Sequence, residues 1–505
     1  MPKITKSKNY LFFNISRIFL IHFLFFCNLA HGSNLEKNFN EVTSKKVNPN
    51  PTTPFLAPRV ELIPSGSLVI PMDNDLQKKG NSALFNLRSY GLLVRLLHAN
   101  VPLKWAIKTG KPKDGIDFTG RVQRIAPANV ATTTRSFRSG PFIVYPGYEN
   151  EARQVINSYN NSLNSNEKVH VYELKENINI DIKYDFTHKP KAALLDNGGN
   201  ADIHQQILID AGLIENIHYF KEGINAEDLK KEACYTFVSE AHADEDNVSK
   251  NAVDNIKKFV QDGGNFFGQC AGGRAYENIG LKSNRLITKD GVTDPGIDGN
   301  IIFSNADSPV IQIHGGLSDE GGSAPSYKTN SFDNGADIKI HAYDSGDRLN
   351  YKVYGGRIGG FKASKGGHVH YLGGHNYDNG SNMDINGQRI YLNAYIMPSQ
   401  RSLDCNIDIS VSGPIEIEGF RVNENTGTTF FRVTSRAQTS GPFSANYRVT
   451  NGSARINQDY TLNGSSGTLN FSGRPGETID IPLRITDDAI IENTEDLFVT
   501  ITSVT

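Results

Sequence analysis

Near Ser399 the hydrophobic pattern of this chain changes, and that change limits what it can fold into. Upstream, short apolar runs alternate with amphipathic stretches, a β/α pattern that predicts an α/β fold with a largely parallel sheet. Downstream, alternating strands recur with a turn roughly every eight to twelve residues, which predicts an all-β part. A chain of 505 residues has room for two or three domains. Its formal net charge of -2 excludes the surplus of Lys and Arg that a nucleic-acid footprint needs.

The first residues read as an export signal. Lys3, Lys6, Lys8 and Arg17 precede the apolar run 18–26, and Ala30-His31-Gly32 offers small residues at a cleavage site. The spacing predicts a signal peptide over 1–32 and an exported protein, whether extracellular, periplasmic or at the cell surface. The run is shorter than the roughly twenty apolar residues of a membrane span, and no later segment reaches that length. Residues 33–58, ending in Asn48-Pro49-Asn50-Pro51, have a linker composition. Beyond the signal remain Cys234, Cys270 and Cys405. Three thiols cannot all pair within one chain in an oxidising compartment, so one is free or pairs with another chain.

Residues 59–185 read as an N-terminal α/β region. Strands are expected at 67–71, 104–107, 142–145 and 169–172, with helices over 85–100 and 149–159. The alternation continues over 186–400, with strands at 191–195, 235–238 and 265–268 and helices over 201–211 and 251–261. Two further strands are expected at 367–372 and 389–395. Asn382 to Gly387 has the look of a calcium loop, but Asn393 stands where its closing Glu should be, so it reads as a turn.

Gly268-Gln269-Cys270-Ala271-Gly272 joins a predicted strand to a predicted helix. Small residues at both ends let such a turn close and lift the central side chain above the sheet edge. The helix N-terminus favours a thiolate and lowers its pKa, and the Ala271 N–H would face a developing oxyanion. Candidate bases are His375, His370 and His242. Glu240 or Asp378 would complete a triad, Arg274 and Glu277 either hold substrate or face solvent, and a lone His204 reads as a core or surface residue. His368 and His370 share one face of a strand with His375 near, the basis of a metal-dependent alternative.

With Gly263-Gly264 before it, this stretch resembles the class I glutamine amidotransferase-like superfamily, closest to its biotin-protein-ligase N-terminal type. The resemblance spans 190–397 and implies a flavodoxin-like fold. It also implies a loop over the site at Gly198-Gly199-Asn200 and a catalytic His in the segment 369–375. Two departures matter. Gly272-Gly273-Arg274 replaces the Gly-x-Gln of true amidotransferases, and Tyr377 replaces the Glu that follows their His, so glutaminase activity is not expected.

In the tail, the stretches 422–427, 454–460, 467–471, 475–478 and 485–498 occur in the order of the Calx-beta pattern. Residues 405–505 resemble that family, which implies an immunoglobulin-like, calcium-binding sandwich. Calcium takes six to eight oxygens from flexible loops. The resemblance implies Glu424, Asp459, Asp487, Asp488, Glu492 and Glu495 as ligands. Two functions remain open beside the metal-dependent one: a thiol-dependent enzyme acting on an amide or acyl bond, and a non-catalytic adhesion protein with the same tail. The partner is a small molecule, peptide or surface ligand of unknown identity.

Overall fold

The computed structural model describes residues 10–15, 58–226, 234–278, 285–333, 336–360 and 366–399. Farther on it describes 415–417, 421–423, 426–435, 442–451, 454–462, 466–473, 477–487 and 495–504, together with Leu229 and Arg401. The chain forms two compact units, Val42–Ile409 and a second made of Met1–Glu41 with Ser410–Thr505. The basic residues, apolar run and cleavage site of the expected signal lie outside the described residues, as does Cys405.

The larger unit holds two sheets. The first has eight strands, ordered Arg59–Ile63, Ile178–Phe186, Leu103–Ala106, Phe142–Val144, Leu68–Ile70, Val171–Leu174, Ile116–Ala126 and Thr133–Arg138. Every pairing in it is antiparallel. This corrects the expectation of a β/α region with parallel strands over 59–185. The strands and helices read from the sequence are present, with helices Arg88–His98 and Glu149–Ser162. What the reading lacked were Arg59–Ile63, Ile178–Phe186 and the long Ile116–Ala126, which pairs with Thr133–Arg138. These strands interleave with the others and turn the connections antiparallel.

The second sheet has nine strands. Tyr219–Phe220, Ala192–Leu195, Phe237–Glu240, Asn265–Gln269 and His368–Leu372 lie side by side and parallel. Asn350–Arg357, Asp337–Asp344 and Ile301–Phe303 extend the sheet antiparallel, and Tyr327–Lys328 pairs with Asn350–Arg357. The sheet is therefore mixed rather than largely parallel. Its parallel strands are buried on both faces, as crossover helices require. Phe266 packs on Tyr276 of the helix Cys270–Asn278, while the adjacent Phe267 packs on His204 and Tyr391 of the opposite layer. Alternate side chains thus divide the two helical layers.

The expected strand at 389–395 is instead part of the helix Asn382–Ile396. Ser381 caps it by accepting from the Asp384 N–H, and every residue from Ile385 to Ile396 is buried. A helix buried all round loses the 3.6-residue polarity that marks helices in sequence, so its β-branched and aromatic residues read as a strand. The turn expected at 382–387 is the first part of this helix.

In the smaller unit two sheets enclose one core. One sheet is ordered Arg421–Asn423, Tyr10–Ile15, Glu495–Val504, Phe443–Asn451 and Ser466–Phe471; the other is Ile415–Ile417, Thr428–Ser435, Thr478–Ile485 and Tyr460–Thr461. Phe431, Val433, Leu469, Phe471, Ile481, Leu483, Leu497 and Val499 fill the space between them. Along Thr478–Ile485 buried and exposed residues alternate, the period-two signature of a sheet with one wet face.

Candidate functional site

The site lies where the strand Asn265–Gln269 runs into the helix Cys270–Asn278. Cys270 has φ +48°, a left-handed conformation that costs a non-glycine residue about 1–2 kcal/mol. Strand and helix approach so closely that a Cβ at Gly268 would fall 2.7 Å from Gly273 Cα. A Cβ at Gly272 would fall 2.8 Å from Glu240 Cγ on the neighbouring strand. Glycine is needed at both places because backbone or a packed neighbour, not a free side-chain end, occupies the space. Gly268→Ala should therefore lower the unfolding free energy by about 1–3 kcal/mol. Urea unfolding would show it; an unchanged midpoint would mean the elbow can spread.

Cys270 is a free cysteine and fully buried, whereas Cys234 is disulfide-bonded. His375 Nδ1 lies 3.1 Å from Cys270 Sγ. The Ala324 N–H donates to the same sulfur at 3.3 Å, and the Ala271 and Ser323 N–H groups also favour its anion. Burial nevertheless outweighs these donors and pushes the thiol up from its ordinary value. This corrects the expected thiolate at the helix N-terminus: removing the sulfur from water costs more than the amides return. Burial, and then the neighbouring His242, push His375 down. Both shifts favour the neutral thiol and the neutral imidazole over the ion pair.

A loop roofs the pair. Gly322 has φ +119°, and a Cβ there would fall 2.4 Å from His375 Nδ1 and 3.0 Å from Cys270 Sγ. Lys352 Nζ holds both ends of this loop, donating to Glu320 O at 3.1 Å and Pro325 O at 3.2 Å. Arg274 Nη1 donates to Ser323 O at 3.3 Å. Lys352 is fully buried, and desolvation pushes it down to about 7. The sequence reading missed both features. Gly321-Gly322-Ser323 was legible as a turn cluster, and Lys352 as a lone charge in the otherwise apolar or aromatic run Tyr351–Tyr354.

The other candidates separate. The His242 ring stands edge-on to His375, with centroids 5.2 Å apart. His370 does not reach the thiol. It stacks on His368 at 5.7 Å, neighbours His341 at 5.8 Å and sits over Gly355, with burial pushing it down to about 4. Alternation along the strand His368–Leu372 puts both histidines inside the sheet's packing, while His375 comes from the loop beyond it. Among the described residues, His368 and His370 belong to no group able to hold a metal. The expectation of a metal centre built on His368, His370 and His375 is thereby corrected.

Glu240 Oε2 accepts from Asn197 Nδ2 at 2.8 Å, and the same amide donates to Tyr276 OH. Its Oε1 is buried without a partner among the described residues, and desolvation raises the carboxyl to about 8. Asp378 accepts from the Gly380 N–H in an exposed turn. No carboxylate is hydrogen-bonded to His375 among the described residues. Glu277 is neither solvated nor open to substrate. It is fully buried and accepts from the Ile287 and Thr288 N–H groups, Thr288 Oγ1 and Tyr371 OH. His204 is a satisfied core residue, bonded to Ser239 and Gln269 at 3.0 Å each.

In the sandwich, the Thr486 N–H donates to Asp459 O at 2.9 Å, which puts Asp459 and Asp487 at one end. One oxygen of Asp459 already accepts from the Arg455 N–H at 2.6 Å. Glu424, Asp488 and Glu492 lie outside the described residues, and for Glu495 only the strand is described.

Residues 407–505 match the Calx-beta domain family. Among solved structures, the apo form of the Calx CBD1 domain is 24% identical, with 16% of this chain and 70% of that one covered at a TM-score of 0.15. A β-galactosidase from Bacillus circulans sp. alkalophilus is 13% identical over 59% of this chain, at a TM-score of 0.27. The match spans 41% of that enzyme's length. A ThuA-like protein from Bacteroides uniformis is 13% identical over 42% of this chain and 92% of its own, at a TM-score of 0.26. No curated protein matches the chain. The protein is thus modular, with a Calx-beta domain at its C-terminal end. No helix among the described residues is long and apolar enough to cross a membrane.

Proposed function

We propose that this is an exported protein whose central region is a thiol-dependent hydrolase of the glutamine amidotransferase-like kind, acting on an amide or acyl bond. The observation that carries the reading is the 3.1 Å contact between His375 Nδ1 and the sulfur of a strained, left-handed Cys270. Strain held at a tight turn is kept where the surrounding structure enforces it, and such positions cluster at functional sites.

With thiol and imidazole both neutral, the proton leaves the sulfur as attack proceeds. Cys270 Sγ bonds to the substrate carbonyl carbon, its proton passes to His375 Nδ1, and the carbonyl π electrons move to oxygen. The N–H groups of Ala271, Ser323 and Ala324 are the donors available to that oxygen. His375 then returns the proton to the leaving amine or alcohol; water next adds to the acyl carbon, its proton passes through His375 to the departing sulfur, and the acid leaves. The roof at Gly321, Gly322 and Ser323 must lift for a substrate to enter. Glu240 supports the elbow from below rather than orienting His375. The test is hydrolysis of a panel of activated esters and amides by the full chain. Turnover that survives Cys270→Ala would sink the thiol mechanism, and no turnover by the unaltered chain would favour a non-catalytic adhesion protein.

The Calx-beta domain supports calcium as the ligand of the sandwich end. Asp459 and Asp487 would hold the ion together with Glu424, Asp488, Glu492 and Glu495. Their charges repel one another without it, so binding stabilises the fold by mass action. Calcium at about a hundred times its dissociation constant should add about 2.7 kcal/mol. A scan of the full chain should show the sandwich melting at higher temperature, with the gain largely lost in Asp487→Ala. An unmoved transition at millimolar calcium would leave the sandwich a structural module.

A further inference from the structure

We infer that His242, Cys270 and His375 form a binding site for a divalent cation of the zinc class, and that the bound ion holds the thiol unreactive. One ligand atom from each residue lies within 4.8 Å of the others. Zinc–nitrogen bonds of about 2.0–2.1 Å and a zinc–sulfur bond of about 2.3 Å set ligand atoms about 3.3–3.6 Å apart in a tetrahedron. The 3.1 Å contact between His375 and the sulfur needs to open by only about half an ångström to match.

Three further observations point to an ion. His242 Nδ1 is buried and has no hydrogen-bond partner among the described residues, although a buried ring nitrogen ordinarily finds one. The His242 ring stands edge-on to His375 with centroids 5.2 Å apart, which brings a second imidazole beside the thiol. The sulfur also has the donor set that a metal thiolate uses. The N–H groups of Ala324, Ala271 and Ser323 offset the negative charge that ligation leaves on it.

Two imidazoles and a thiolate are too soft a set for calcium or magnesium and suit zinc, with a fourth position left for water. Binding exchanges the S–H bond for a sulfur–metal bond and releases the proton to solvent. A thiolate so held cannot attack a carbonyl. This inference rests on the three side chains and not on turnover.

The probe is cobalt(II) added to the full-length, metal-stripped protein. A thiolate-to-cobalt charge-transfer band in the near ultraviolet is expected, removed by excess zinc and absent from Cys270→Ser. His242→Ala should weaken cobalt binding about 10- to 100-fold. His242→Asn, with matched circular dichroism, guards against misfolding. Zinc should also block alkylation of Cys270, and EDTA should restore it. Absence of the band, or cobalt affinity unchanged from the parent protein in both His242 variants, would overturn the inference. A band without ester or amide turnover in metal-free protein would reject the catalytic reading and leave the metal site standing.

Discussion

Glu240→Gln should raise the unfolding free energy at pH 9 by up to about 5 kcal/mol while changing it little at pH 4. The carboxyl is fully buried, one oxygen has no partner among the described residues, and its pKa is raised to about 8. An unfolded Glu titrates near 4.3, and each unit of difference is worth about 1.4 kcal/mol. Between these values the folded protein holds a proton that the unfolded chain has lost. The stability from this group is therefore complete below about pH 4.3 and falls as pH rises to about 8. Above that, the fold carries a buried carboxylate bonded to Asn197 and repelled by Asp196. Glutamine keeps an acceptor for Asn197 and cannot ionise, so its stability lacks this fall. Urea unfolding of both proteins from pH 4 to 9 measures it. Parallel curves would show that Glu240 is not protonated in the folded state.

Cys270→Ala should reduce turnover of activated esters to background, and His375→Ala should reduce it about 10²–10⁴-fold. The first variant removes the atom that forms the acyl bond. The second leaves the elbow and its amides intact and removes the base. Because the thiol is pushed up and the imidazole down, little thiolate exists before substrate arrives. Loss of the base is then felt at the attack itself. Activity should fall on the acid side only below the ordinary imidazole value of about 6.5, since protonated His375 cannot accept a proton. The limb should vanish in His375→Ala. A limb that persists would assign the titration to a group other than His375.

The elbow was legible because it is written locally. Gly268, Cys270 and Gly272 sit at fixed offsets between an apolar strand and a helix, and close approach of backbones leaves no other residue type room. The sandwich was legible for the same kind of reason, through period-two burial and turn spacing. His375 could be singled out because it follows a strand that the resemblance marks, whereas His370, the second choice, faces into the packing of that strand's sheet. Strand pairing in the region 59–186 was not legible, since it depends on which distant strands meet. The state of the thiol was not legible either. A helix N-terminus is visible in sequence, but the burial that outweighs it comes from Gly322 and its neighbours, some fifty residues away, folded over the sulfur. Glu277 was misread because its four donors come from Ile287, Thr288 and Tyr371, which only the fold assembles.

The proposed function requires Cys270 to be a free thiol served by His375. Iodoacetamide labelling of the folded, metal-free protein across pH, read by mass spectrometry at Cys270, tests it most directly. The expected result is labelling in the native state with a midpoint above the ordinary thiol value of about 8.5. Below that midpoint His375→Ala should label more slowly at every pH. Cys270 found in a disulfide, or labelled only after unfolding, would contradict the account.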